Sequence, residues 1–405
     1  MSSQRSDSAL ILGEDPLSVP ERSTAPAPRV VHLAHTTVPG GAELGLARML
    51  RADPPWRASI LLPPDPAEDG AFAGVPESVP IHRIGVTQPH GASGASPAGA
   101  VAAGARLAAQ AIATRRHPSF RRADLVVSNS TRAAAYGALA VAGTRAPFVV
   151  YLHDFTDRET LGGFGLRMMT RIVLPRADGV IANSQATLAS AEPFLRAAAL
   201  REVAVGASGL TGRARGEREP GPLRVGMLAR IDPWKGQLLL LEAFAQAFPA
   251  GDEVLEFAGG APFGHAGYAD ELRARARALG LADRVRLLGH VDDVERLLRR
   301  WDVGVQASLR AEPLGFNVLE YLDAGLATVV AGEGGPVEWV RDGGNGLVIA
   351  PRDARALAAA LRRLGDDPGL RRRLGEAASR TPGLVTDHAV AEQHAEVYRR
   401  VVARR

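Results

Sequence analysis

The chain has 405 residues, with 48 lysines and arginines against 44 acidic residues, for a formal net charge of +4. Hydrophobic residues make up 46% and charged residues 23%, the balance of a globular protein, and the absence of cysteine excludes disulfides and thiolate metal sites. The length exceeds what one hydrophobic core usually serves, so two domains of similar size are expected.

Residues 1–28 are polar and rich in Pro and Ser, lack the apolar stretch of a signal peptide, and read as a disordered tail. No apolar run reaches membrane-spanning length, since the Ala-rich stretch from Gly99 to Ala113 is broken by Arg106 and Gln110. A cytoplasmic protein is expected. Arginines cluster at Arg115, Arg116, Arg121 and Arg122, and again at Arg371, Arg372 and Arg373. No nucleic-acid-binding signature accompanies them, so nucleic acid is not an expected partner. The first cluster suits either a solvated helix end or peripheral contact with the inner face of an anionic membrane.

From residue 29, short β-rich runs alternate with Ala/Leu-rich helical patterns. Strands are predicted at 29–34, 58–62, 81–84, 123–128, 148–153 and 179–183, with helical spacing at 42–50, 98–115 and 161–174. Strands separated by helical crossovers imply βαβ units and a parallel sheet. Residues 206–222, rich in Gly, Arg and Pro, interrupt the pattern and predict a linker. Strands then resume at 223–229, 254–258, 284–288, 303–306, 328–331 and 347–349, and a helical pattern covers 387–400. The expected organisation is a first Rossmann-like domain at 29–205, a linker at 206–222, a second such domain at 223–386, and a terminal helix within 387–405 that packs back on the first domain. Two such α/β sheets place a ligand cleft between the carboxyl ends of their strands.

Of the 48 basic residues only Lys235 is a lysine, and it lies five residues after Arg230, between a predicted strand and a helix. A compact ammonium kept in an arginine-writing chain suits a phosphate in a tight space. The segment from Glu312 to Glu320 follows the strand at 303–306 and enters a helix. Carboxylates accept hydrogen bonds from sugar hydroxyls, and the N–H groups of Gly315, Phe316 and Asn317 at a helix start suit a phosphate or a polar sugar edge. Singly, either glutamate is better explained as a cap or a solvated helix residue. Together with Arg230 and Lys235, each set after a strand, they point to a binding site. In the first half, Gly40 and Gly41 allow close backbone approach before a helix. His153 and Asn183 each end a predicted strand facing the cleft, and Ser184 suits a helix cap.

The Arg230–Lys235 pair, the spacing of Glu312 and Glu320, and the Gly-Gly-Ala-Glu loop at Gly40, Gly41, Ala42 and Glu43 resemble the retaining glycosyltransferases of family four. The resemblance covers nearly all of the chain from Arg29. It implies a GT-B fold, with the acceptor bound by the first domain and a nucleotide-diphosphate sugar by the second. No metal-ligand spacing appears, and neither a metal nor another cofactor is expected if Arg230 and Lys235 neutralise the diphosphate. By position, Arg230 and Lys235 would hold the diphosphate, Glu312 the transferred sugar and Glu320 the ribose. Val291 and Asp293 would meet the base, and His153 would contact a sugar hydroxyl or the acceptor. Gln306-Ala307-Ser308 departs from the Pro-Ser common before the first glutamate, and Ala229 from the Gly common before the arginine; neither touches the charge chemistry.

Growing negative charge on a leaving diphosphate is what fixed cations stabilise best. No acid announces itself as the nucleophile of a double displacement, and the resemblance implies front-face return, with the leaving phosphate assisting deprotonation of the acceptor. A sugar-nucleotide epimerase of the same architecture and a non-catalytic sugar-nucleotide-binding subunit remain open alternatives. Neither Gly40-Gly41 nor Gly162-Gly163 extends to a dinucleotide-binding G-x-G-x-x-G. A pyridoxal-phosphate enzyme would have to use Lys235 for its Schiff base, where the diphosphate role suits the position better. The loops at 63–79 and 88–97 are expected to set the acceptor.

Overall fold

The computed structural model describes residues 27–64, 70–87, 97–212, 221–261 and 266–404. Residues 1–26 of the predicted tail, 213–220 of the predicted linker, and 65–69 and 88–96 of the two loops expected to set the acceptor lie outside this set.

Seven strands build the first sheet: β1 (Arg29–Leu33), β2 (Arg57–Leu62), β3 (Ile81–Arg83), β4 (Leu125–Ser128), β5 (Phe148–Leu152), β6 (Gly179–Ala182) and β7 (Leu200–Val203). All pairs are parallel, in the order β3-β2-β1-β4-β5-β6-β7. Consecutive residues of β1 and β4 supply opposite faces. Val30, Leu125 and Val127 pack beneath the helices Gly41–Arg51 and Asp387–Val402, while Val31, Leu33 and Val126 pack beneath Pro97–Arg116 and Thr131–Val141. A sheet covered on both faces needs apolar residues at successive positions, which is why these strands read as unbroken hydrophobic runs.

The second sheet holds β8 (Arg224–Leu228), β9 (Val254–Ala258), β10 (Val285–Gly289), β11 (Val303–Gln306), β12 (Ala327–Ala331) and β13 (Leu347–Ile349), again parallel, in the order β10-β9-β8-β11-β12-β13. Val225, Met227, Phe257 and Val305 pack on the helices Gln237–Ala247 and Ala354–Asp366, and Trp301, Tyr321 and Val330 fill the other face. The strand order reverses between β1 and β4 in one sheet and between β8 and β11 in the other, and ligand crevices open at such points. The terminal helix Asp387–Val402 returns to the first domain, burying Val390, Val397, Tyr398 and Val401 there. Its Arg400 pairs with Glu202 of β7 at 2.8 Å.

Three features differ from the sequence reading. β7 was not foreseen: it is a four-residue edge strand with only Leu200 buried, so it shows neither alternation nor an apolar run. The helix predicted at 161–174 is a helix at Arg158–Met168 kinked at Gly162, then a π-helical turn at Met169–Val173 and a 3₁₀ turn. The described start of the predicted linker is packed: Gly206, Ala207, Ser208 and Leu210 are buried, and Leu210 contacts Leu314 and Leu319 of the second domain.

Candidate active site between the two domains

On the second-domain wall, the β8 strand end delivers Arg230 and, after a short turn, Lys235. Asp232 caps that turn, and Gly236 closes it at φ 80°, the left-handed region. A Cβ at Gly236 would stand 2.0 Å from the Ala307 carbonyl, so only glycine lets the turn pack beside the β11 strand end. This packing brings Lys235 to the β11 loop. Its Nζ donates to Glu312 Oε1 at 2.6 Å, and Ser308 Oγ donates to the same oxygen at 2.5 Å. The ammonium also lies 3.8 Å from the centre of the Trp234 ring, a cation–π contact. The Gln237 amide holds the Arg230 carbonyl at 2.6 Å. Gly334 and Gly335 support Glu312 from behind, the Gly335 N–H donating to its carbonyl at 2.8 Å.

Gly315 starts the helix Phe316–Asp323 without a side-chain cap. The Phe316 ring leaves its own domain and enters a niche in the first, where Cβ atoms built on Gly41 and Gly206 would stand 3.1 and 2.8 Å from it. One turn later Glu320 sits 3.9 Å from Arg48 of the helix Gly41–Arg51. Burial raises the Glu320 pKa to about 7; the Arg48 charge opposes this, and burial wins. Asn317 Nδ2 lies 3.5 Å from the Tyr321 hydroxyl.

The first-domain wall is assembled at the ends of β1, β4, β5 and β6. Gly40 precedes the helix Gly41–Arg51, and Glu43 in its first turn is buried, with Oε1 3.7 Å from His35 Nδ1. Desolvation lifts the Glu43 pKa to about 7 against its backbone hydrogen bond; Asp154 adds to the rise and Arg230 opposes it. Asp154, next to it in space, is exposed; crowding by the surrounding protein leads in raising its carboxyl pKa, Arg230 opposes, and Asp157 and Glu312 add. Arg230 therefore acts electrically on acids of the opposite wall.

His153 is held through Nε2, 3.2 Å from Asn129 Oδ1, and its ring stacks 4.0 Å from that of Tyr151. Burial, aided by His394, depresses its pKa to about 3, so the imidazole is neutral at physiological pH. Asn183 Nδ2 donates to the His153 carbonyl at 3.3 Å. Ser184 caps the helix Gln185–Ala191 through the Thr187 N–H at 3.0 Å. Glu338 of the second domain accepts from the Gln185 and Ala186 N–H groups of that helix at 2.9 and 2.8 Å. Arg310 reaches Glu159 at 3.0 Å across the same divide.

The structure thus brings Lys235 and Glu312 into direct contact, sets Arg230 opposite Glu43 and Asp154, and places Gly41, Phe316 and Glu320 at the domain junction. Val291 and Asp293 stand at the β10 strand end. Val291 is half-buried beside the Trp301 cluster, while Asp293 is exposed and caps the helix Val294–Arg300 through the Arg296 N–H at 2.9 Å. Sequence reasoning did not single out Asn129, Arg48, Trp234 or Asp154. A signal for Asn129 was present: Asn129-Ser130 ends β4 as Asn183-Ser184 ends β6, and both serines cap the following helix.

Two doubly wound domains with strand ends facing across a cleft define the GT-B class, and solved structures share it. HepE of Anabaena in complex with UDP and glucose matches with a TM-score of 0.76 at 26% identity, covering 91% of this chain and 99% of that one. Its UDP-glucose complex matches at 0.72, covering 93% and 98%. The family model for glycosyl transferases group 1 matches residues 212–381, and that for glycosyltransferase family 4 matches residues 63–199. The chain belongs to the GT-B glycosyltransferases of group 1. The lipopolysaccharide core biosynthesis mannosyltransferase LpcC of Rhizobium leguminosarum bv. viciae is 33% identical over 40% of this chain, and the match spans 46% of LpcC's own length.

Proposed function

We propose that the chain transfers a sugar, with retention of configuration, from a nucleotide-diphosphate sugar to an acceptor hydroxyl in the synthesis of a surface polysaccharide or related glycoconjugate. The observation that carries this is the convergence of Arg230, Lys235 and Glu312 at the carboxyl ends of β8 and β11, where the strand order reverses. Two cations there neutralise a leaving diphosphate. The Glu312 carboxylate, already paired with Lys235 and Ser308, accepts from hydroxyls of the transferred sugar through its remaining lone pairs. Glu320, with its raised pKa, contacts the ribose. The complexes of HepE with UDP and UDP-glucose make a uridine nucleotide the first donor to try.

The test is a thermal-shift screen of UDP-, GDP- and ADP-sugars on the native chain and on Lys235→Ala. A ligand bound only by the folded state raises the melting temperature. One donor class stabilising the native chain alone supports the reading; equal stabilisation of both removes the clamp. Retention rests on front-face return assisted by the leaving phosphate, and an inverted anomer in the product's NMR spectrum contradicts it. Arg230 and Lys235 take the charge-neutralising part in this reading, so turnover survives EDTA; loss on chelation that magnesium restores contradicts it. A donor isomerised without any acceptor would instead favour the epimerase alternative.

Among the described residues no helix is long and apolar enough to cross a membrane. Peripheral contact rests on the helix Pro97–Arg116, where Ile112 is exposed one turn from the exposed Arg115 and Arg116, and Val101 is exposed nearer the helix start. Co-sedimentation with anionic but not neutral vesicles is the expected result, and no sedimentation with either contradicts it.

A further inference from the structure

The end of β5 is bracketed by two asparagines that occupy equivalent places on the neighbouring strands. Asn183, after β6, donates to the His153 carbonyl. Asn129, after β4, donates through Nδ2 to the Ala42 carbonyl at 2.9 Å, in the first turn of the glycine-loop helix. That bond settles which end of the Asn129 amide is which, so Oδ1 is the atom facing His153 Nε2. A carbonyl oxygen only accepts, so Nε2 carries the ring proton and Nδ1 is a bare lone pair. Nδ1 is buried without a protein partner, and so is Asn183 Oδ1. Two buried acceptors near one strand end, both lacking a donor, are the kind of groups that hydroxyls of a bound polyol would satisfy.

We propose that Asn129 is a positioning residue: it fixes the Nε2–H tautomer of His153, so that Nδ1 accepts a hydrogen bond from a substrate hydroxyl and His153 works as a neutral acceptor. The inference rests on the glycosyltransferase reading for the identity of the hydroxyl, but the tautomer does not. Behind the imidazole, the Tyr151 ring lies 4.0 Å away, and His394 of the terminal helix lies 4.9 Å beyond Tyr151. Tyr151 is buried and its pKa raised, and burial holds His394 near 4, so both are neutral at pH 7. The charged or titratable groups near this strand end are Asp154, next in the chain, with Asp157, Glu312 and Arg230 acting on it, and Glu43 of the glycine-loop helix, which is coupled to Asp154 and holds its proton up to about pH 7. With buried neutral rings behind and a neutral amide beside it, no charged group among the described residues is seen in direct contact with the imidazole to stabilise an imidazolium.

Nitrogen-15 NMR of the imidazoles, with His153→Gln identifying the signal, tests the tautomer whether or not the donor is known. The expected result at pH 7 is a protonated Nε2 and an unprotonated Nδ1. A protonated Nδ1 or a charged ring overturns the proposal. Asn129→Asp, of the same shape, replaces the carbonyl with a carboxylate that favours the imidazolium. The expected result is an upward shift of the His153 pKa and an acidic limb in kcat absent from the native chain. Asn129→Ala lowers kcat by up to roughly a hundredfold through a misplaced ring, with the donor KM little changed. An Asn129→Asp profile that superimposes on the native one, with unchanged His153 nitrogen shifts, overturns the proposal. If neither native chain nor variant turns over any donor, the functional reading fails while the NMR result still decides the tautomer.

Discussion

The two walls of the cleft are built from different chemistry. The second-domain wall carries charge on a strand-end turn and loop: Arg230, Lys235 and Glu312, with the lysine and glutamate already paired at 2.6 Å. The first-domain wall is mainly an amide and imidazole framework, Asn129, His153 and Asn183, in which each group is held by a neighbouring strand end. Its acids, Glu43 and Asp154, have their pKa values pushed up rather than down. The contrast suits a reaction in which charge leaves on one side and a neutral hydroxyl arrives on the other. A fixed cation is most useful where charge develops, whereas a hydroxyl is placed by neutral acceptors at a smaller desolvation cost than a buried charge carries.

Breaking the charged wall is expected to have the largest effect. Lys235→Ala removes one of the two cations and leaves Glu312 with Ser308 but without its cationic partner, lowering kcat by roughly a hundredfold to a thousandfold, as steady-state kinetics will show. Lys235→Arg rescues little, because a planar fork does not replace a point charge wedged between Trp234 and Glu312. Full rescue by arginine would count against the tight-contact account.

The raised acids give the next effect, on stability. Glu43 and Glu320 hold their protons up to about pH 7 in the native state, against an ordinary value of 4.5. Between those values the native state binds more protons than the unfolded one, so stability falls as pH rises through the window. Each group contributes at most about 3 kcal/mol to that fall. Glu43→Gln and Glu320→Gln should match the native chain near pH 4.5 and exceed it at pH 8 in urea unfolding. Equal slopes with pH for all three proteins would show that burial of these carboxyls is not costly.

A smaller effect is expected at the junction that holds the walls together. Gly206→Val puts side-chain atoms where a Cβ alone would stand 2.8 Å from the Phe316 ring, expelling it from its niche at a cost of about 1–3 kcal/mol. Small-angle scattering should then show a wider molecule, and unchanged scattering with an unchanged melting temperature would mean the niche yields. The smallest effect falls on Asp293→Ala. Loss of its helix cap costs about 1 kcal/mol. A donor KM that rises as well would add the base contact that its family position implies; an unchanged KM would confine it to capping.

Much of this architecture was legible because both sheets are buried on both faces, which forces unbroken apolar strands such as Phe148-Val-Val-Tyr-Leu152. β7 was not, since an edge strand with one buried residue carries no pattern. In the site, Arg230 and Lys235 stood out by residue type and position after a strand, and Glu312 only in combination with them and Glu320. Asn129 and Arg48 did not, because their roles arise from partners 24 and more positions away: His153 and Ala42 for one, Glu320 for the other. The packed stretch from Gly206 to Leu210 was hidden for a related reason. Small residues that line a niche for Phe316 have the composition of a linker.

The account turns on the charged pair gripping a diphosphate, and calorimetric titration of UDP into the native chain and into Lys235→Ala tests it most directly. The predicted result is binding by the native chain that weakens at least about tenfold in the variant, the loss of one charge-assisted contact. Equal affinity for both proteins, with the variant still folded, would contradict it.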